Sequence, residues 1–198
     1  MSWKSVHDFE LLISDWFGAK YGVAVDSCTH GIELCLRYKN VRKLSIPKRT
    51  YISIPSLSHK LNIPLEWTNE NWAEYYEISN SGIYDAAVLW REKSYIPTTM
   101  MCLSFQFQKH LSLGRGGMIL LDDHEAYEKL SKMVYDGRKP NIAWKDQYME
   151  IDTIGYHYYM TPETAQLGIK KFNDALYTEP RKWTISDWPD LSQMEIFK

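Results

Sequence analysis

Ser104-Phe105-Gln106-Phe107-Gln108-Lys109-His110-Leu111-Ser112-Leu113-Gly114-Arg115-Gly116-Gly117-Met118-Ile119 is the stretch on which the fold of this chain turns. Residues 100–105 and 117–121 are apolar runs of strand length, and between them lie Lys109 and the glycine-rich turn Gly114-Arg115-Gly116-Gly117. A lysine between buried strands is unusual, because moving an ammonium out of water costs free energy. Taken alone, such a lysine is most often an edge residue whose stem is buried and whose head reaches water.

On either side, short apolar runs alternate with helical patterns, the pattern of βα units in a single α/β layer structure. Residues 10–17 have helical spacing, Tyr21-Gly22-Val23-Ala24-Val25 reads as a strand, and residues 31–38 return to a helical pattern after the turn Asp26-Ser27-Cys28-Thr29. Residues 43–46 and 65–68 read as strands separated by a helix over 52–61, and 81–85 ends a strand in Asp85. Asp123 caps a helix running to Met133, and Thr161-Pro162 opens another to about Ala175. Residues 1–178 are expected to form one domain with a mostly parallel sheet and flanking helices, and 179–198 a tail packed on it or on a neighbouring subunit.

Composition narrows the function classes. With 198 residues, 44% of them apolar, and a net charge of −2, the chain is an ordinary globular domain rather than a disordered or fibrous one. The longest apolar runs, at 86–90 and 118–121, fall far short of the roughly 20 residues of a membrane helix, and the first residues carry no apolar leader. Cys28, Cys35 and Cys102 are an odd number without metal-ligand spacing, so a reduced, cytoplasmic protein without a metal site is expected. The even charge balance argues against a nucleic-acid or anionic-membrane partner.

Three features exceed background together: a hydroxyl-rich turn opening a helix, a strand ending in Asp85-Ala86-Ala87, and the Ser104 to Lys109 segment before its glycine turn. A helix N-terminus presents free N–H groups and a positive dipole end to an anion, and ligands of open α/β sheets sit at the carboxyl edge of the strands. In this order the features resemble the DegT/DnrJ/EryC1/StrS sugar aminotransferases, pyridoxal-phosphate enzymes of fold type I. Residues 17–29 are similar to that family's strand and Ser-Gly-Thr turn, 83–87 to its Glu-Asp-Ala-Ala segment, and 104–119 to its Ser-Phe-x-x-x-Lys-x-Leu and Gly-x-Gly-Gly pattern.

The resemblance implies a reduced fold type I large domain with pyridoxal 5'-phosphate as cofactor. Lys109 would be the Schiff-base lysine, its amine made nucleophilic by desolvation. Asp85 would pair with the protonated pyridine nitrogen, and Cys28 and Thr29 would offer backbone N–H groups to the phosphate, joined by the Thr29 and Ser104 hydroxyls. Tyr51 falls where the family stacks an aromatic ring on the cofactor. Residues 155–160 are similar to a Gly-Tyr-Asn-Tyr-Arg-Met stretch that reaches a partner subunit's site, which implies a homodimer with shared sites and His157 in place of Asn.

Other departures from the family pattern are Tyr159 for Arg, Val88 for a Gln or His near the cofactor's ring hydroxyl, and Cys28 for Gly. Tyr51 and Asp85 lie 34 positions apart, fewer than the family shows, which implies a deleted βα unit. A C-terminal small domain closing over the substrate is expected to be missing. The function implied is transfer of an amino group from a donor such as glutamate to a nucleotide-linked keto-sugar. The alternative is a non-catalytic scaffold or binding subunit of the same descent.

Overall fold

The two runs flanking Lys109 become the strands β6 (Met100–Ser104) and β7 (Gly117–Leu121) of a computed structural model that describes residues 3–198. They pair in register from Met101 opposite Leu120 to Ser104 opposite Gly117. β1 (Tyr21–Val25) lies beyond β7, and β5 (Ile83–Asp85) and β4 (Tyr76–Ile78) lie beyond β6, giving the sheet order β1-β7-β6-β5-β4. A second, two-stranded parallel sheet joins β2 (Leu44–Pro47) to β3 (Leu65–Thr68).

The α/β class is as expected, but the mostly parallel sheet is not. Within the main sheet only β5 and β6 are parallel; β1–β7, β7–β6 and β4–β5 are antiparallel. The cause lies in the connections, since a parallel neighbour needs a crossover, usually a helix, and residues 105–116 supply only a turn. β7 therefore doubles back beside β6, and because β1 is antiparallel to β7, strands β1, β5 and β6 share one direction. β4 reverses through Ser79 and Asn80, both with positive φ (58° and 48°), closed by a 3.2 Å bond from the Ser81 N–H to the Ile78 carbonyl. That strand has only three residues and escapes a reading by apolar runs.

The central strands are buried on both faces, so their side chains alternate between two cores. Met100, Cys102, Ile119 and Leu121 face one core with Ile32 and Leu36 of α2 (Cys28–Tyr38) and Leu130 of α4 (His124–Val134). Met101, Leu103, Met118 and Leu120 face the other with Phe9 and Ile13 of α1 (Lys4–Phe17) and Phe172 of α6 (Pro162–Leu176). α1 and α6 touch where the Phe9 ring lies against Gly168; a Cβ there would stand 2.5 Å from a ring carbon.

α1 starts earlier than the spacing of residues 10–17 indicates, and α2 starts at Cys28 rather than at 31. The expected helix over 52–61 is shorter, α3 (Ser56–Leu61), because 52–55 form turns, and α5 (Trp144–Gln147) is a single short helix. Residues beyond 179 form three short 3-10 turns, Ile185–Asp187, Leu191–Gln193 and Glu195–Phe197. No described helix is long and apolar enough to cross a membrane.

Candidate active site

The shared direction of β1, β5 and β6 brings their carboxyl ends to one edge of the sheet, where a cavity of about 700 Å³ opens. β1 delivers the turn before α2, β5 ends in Asp85, and β6 ends in Ser104 with Lys109 five residues on. Cys28, Thr29, Tyr51, Asp85, Ser104 and Lys109 all line this cavity.

At the α2 end, the Ser27 hydroxyl accepts the His30 N–H at 3.3 Å, and the Ser27 carbonyl accepts that of Gly31 at 3.0 Å. The first-turn N–H groups of Cys28 and Thr29 have no acceptor within the helix, as at every helix start. The Thr29 hydroxyl lies 2.6 Å from that of Ser53. Cys28 is accommodated in place of glycine because its thiol turns inward and donates to the Cys102 carbonyl at 3.3 Å; burial pushes that thiol's pKa well up. Gly117 explains the motif's last glycine. A Cβ there would stand 2.6 Å from the Cys28 nitrogen and 2.8 Å from the Leu103 carbonyl oxygen, so only glycine lets β7 start this close to the helix end.

Asp85 is 5% exposed. One carboxylate oxygen accepts the Tyr76 hydroxyl at 2.7 Å and the other the Ala87 N–H at 3.0 Å, while Thr50 lies 2.6 Å behind Tyr76. Burial raises the pKa of Asp85, opposed by those two bonds and by the charge of Lys109. Lys109 is half-buried on the turn after β6, its N–H bonded to the Gln106 carbonyl at 2.8 Å. Desolvation lowers its pKa, while Asp85 and Cys28 pull the other way and Arg181 adds to the lowering. A carboxylate and an amine on one cavity thus both carry pKa values displaced by burial, the pattern of a reactive site.

Tyr51 lines the mouth and is half exposed, and Val88 is an apolar wall. His157 stands apart: it is exposed, with a left-handed backbone (φ 59°), its Nδ1 2.7 Å from an Asp136 oxygen and its ring edge-on to Tyr159. It does not line this chain's cavity.

Three residues here were not singled out from sequence: Arg115, in the glycine turn, pairs with Asp26 at 2.7 Å, and Thr50 and Tyr76 back Asp85. Trp183 and Trp188, two large rings in a segment with no period of its own and legible as a cover, line the cavity from the tail.

Residues 97–185 match the DegT/DnrJ/EryC1/StrS aminotransferase family. An uncharacterised protein of Methanocaldococcus jannaschii is 25% identical, the match covering 90% of this chain and 59% of that protein. Among solved structures, 3-amino-5-hydroxybenzoic acid synthase superposes with a TM-score of 0.70 at 18% identity, over 86% of this chain and 56% of its own. The sugar aminotransferase CalS13 of Micromonospora echinospora gives 0.70 at 12%, over 86% and 60%, and GDP-4-keto-6-deoxymannose-3-dehydratase 0.68 at 15%, over 87% and 61%. The chain spans about three-fifths of the length of these relatives. The matched segment, just under half of the chain, holds Lys109 and its glycine turn and is similar to the DegT/DnrJ/EryC1/StrS aminotransferase family, while the solved structures share the chain's α/β fold.

Proposed function

We propose that the chain carries the cofactor site of a pyridoxal-phosphate-dependent enzyme that moves an amino group between a donor such as glutamate and a nucleotide-linked keto-sugar. The observation that carries this reading is the meeting of Lys109, Asp85 and the N-terminus of α2 on one cavity. The residues fit a phosphorylated pyridine aldehyde. The buried Asp85 carboxylate faces a partly dry space and suits a protonated ring nitrogen. The first-turn N–H groups of Cys28 and Thr29 suit a phosphate, and the lowered pKa of Lys109 suits an amine that must attack a carbonyl.

Pyridoxal phosphate, when bound, supplies an electron sink for negative charge at the α-carbon of the amino substrate. The chain's own residues do the rest. Lys109 Nζ, its pKa lowered by its partly dry setting, would act first as nucleophile and then as the base that takes the proton from that α-carbon. Asp85 keeps a proton on the ring nitrogen, and its bonds from Tyr76 and Ala87 fix the carboxylate in place. Ser104 and Thr29 hydroxyls, with the helix end, anchor the phosphate. Tyr51 offers a ring face at the mouth. In a homodimer, His157, the exposed side chain of residues 155–160, is the one available to reach a neighbour's site.

The test is the donor half-reaction. The chain saturated with pyridoxal phosphate should turn yellow, bleach on addition of glutamate and release 2-oxoglutarate in proportion, and regain colour with a nucleotide-linked keto-sugar. A yellow protein that no amino acid bleaches would point to a scaffold that keeps its cofactor, and a colourless one would overturn the reading.

A further inference from the structure

Residues 181–191 lie across the cavity and set an aromatic pair against Lys109. Its Nζ is 4.8 Å from the centre of the Trp183 ring and 5.7 Å from that of Trp188. The two rings stack on each other, centres 5.3 Å apart and 21° from parallel. Trp188 is 8% exposed although it belongs to a segment without helix or strand.

The anchors of this roof do not involve the lysine. The Arg49 guanidinium donates to the Trp188 carbonyl at 2.7 Å, and the Trp72 indole N–H donates to the Arg49 carbonyl, also at 2.7 Å. Lys48 pairs with Asp190 at 3.2 Å, and the Leu191 N–H donates to the Lys48 carbonyl at 2.8 Å. Within the tail, Asp187 accepts the Thr184 N–H and pairs with Arg181, whose guanidinium also lies 3.9 Å from the Trp183 ring centre. The roof is thus held by the loop after β2, before anything asks it to hold Lys109.

We infer that Trp183 and Trp188 are positioning residues for Lys109: the tail lowers an aromatic roof that fixes the amine and keeps water from it, completing the cavity with this chain's own residues. The inference rests on the reading that Lys109 is the reacting amine. The ring faces attract a cation, while the exclusion of water disfavours one. The charged and titratable groups facing the amine are Asp85 from β5, Cys28 from α2 and Arg181 from the tail. With the roof closed, exclusion of water and Arg181 outweigh the ring faces and Asp85, and the amine stays reactive at lower pH than an exposed lysine.

The experiment uses the cofactor-free chain, labelled with trace isotopic acetic anhydride across a pH series, and compares Lys109 with the exposed Lys170 by peptide mass spectrometry. In the parent chain Lys109 should reach half-maximal reactivity at lower pH than Lys170. Trp183→Leu with Trp188→Leu should move that point up by on the order of one pH unit, a tenfold fall in neutral amine below it, while the corresponding Phe pair keeps the parent profile. If the Leu pair lacks a cooperative melting transition, Arg49→Gln, which removes one anchor of the roof, should shift the profile in the same direction.

A profile that stays put while labelling rises uniformly would make the roof a mere cover and overturn the inference, as would a downward shift. Borohydride reduction of the chain with pyridoxal phosphate separates the two readings. Modification elsewhere than Lys109 defeats the proposed function, whereas the labelling profile reports on the roof in either case.

Discussion

Asp85→Asn should stabilise the cofactor-free chain while weakening its hold on pyridoxal phosphate. The side chain is nearly isosteric, so the comparison turns on charge and hydrogen bonds. Asparagine keeps its oxygen for the Ala87 N–H and presents its amide N–H to the Tyr76 hydroxyl, which can then turn its own proton toward Thr50, 2.6 Å away. Reversing that short chain costs about 1 kcal/mol for one weakened bond. Against it stands the relief of a buried carboxylate, several kcal/mol before its partners offset part. Lys109 and the two hydrogen bonds are such partners. The net is about 1 kcal/mol in favour of Asn at neutral pH, a rise in Tm of roughly 2–4 °C for a domain of this size.

The pH dependence has a definite sign. Burial holds the folded pKa of Asp85 above its unfolded value, so between the two the folded chain keeps a proton that the unfolded chain has released. Stability then falls as pH rises through the folded pKa. The advantage of Asn should therefore be small near about pH 3, below the ordinary Asp pKa of about 3.9, where both states are largely protonated, and full at neutral pH. Calorimetric melting of both proteins across that range checks it. A variant melting several degrees below the parent at neutral pH, or a difference flat with pH, would refute the account of Asp85 as a charge held at a cost to stability.

Gly117→Ala forces a Cβ to 2.6 Å from the Cys28 nitrogen, backbone that cannot yield without moving the start of α2. The urea midpoint should drop by the equivalent of roughly 1–3 kcal/mol, and an unchanged midpoint would contradict the close approach. Lys109→Met should flatten a rise in stability with pH, because burial lowers the folded pKa and the parent gains stability as pH climbs from that value toward the ordinary lysine pKa; urea midpoints in alkaline buffers read it. Glu33 has no exposed side-chain surface and pairs with Arg37 at 2.8 Å and Lys60 at 2.6 Å. Glu33→Ala leaves two cations that can turn to water and should cost about 1–3 kcal/mol in chemical denaturation.

Much of the site was legible in the sequence because its chemistry is written locally. Lys109 sits beside a glycine turn, Asp85 ends a strand and Thr29 opens a helix, each readable within a few residues. The strand directions were not, since they depend on whether residues 105–116 cross over or turn back, a matter of three-dimensional closure rather than pattern. β4 was too short to show a period, and the bonds it makes possible, from Thr50 through Tyr76 to Asp85, link three separate segments. The roof over Lys109 joins residues more than 70 positions apart, a distance across which periodicity carries no information. The central claim, that Lys109 is the amine that holds pyridoxal phosphate, is tested most directly by borohydride reduction of the loaded chain and peptide mass mapping, with Lys109→Ala as control. A single modified peptide containing Lys109, absent from the control, is the result expected; no modification, or modification at another lysine, would contradict it.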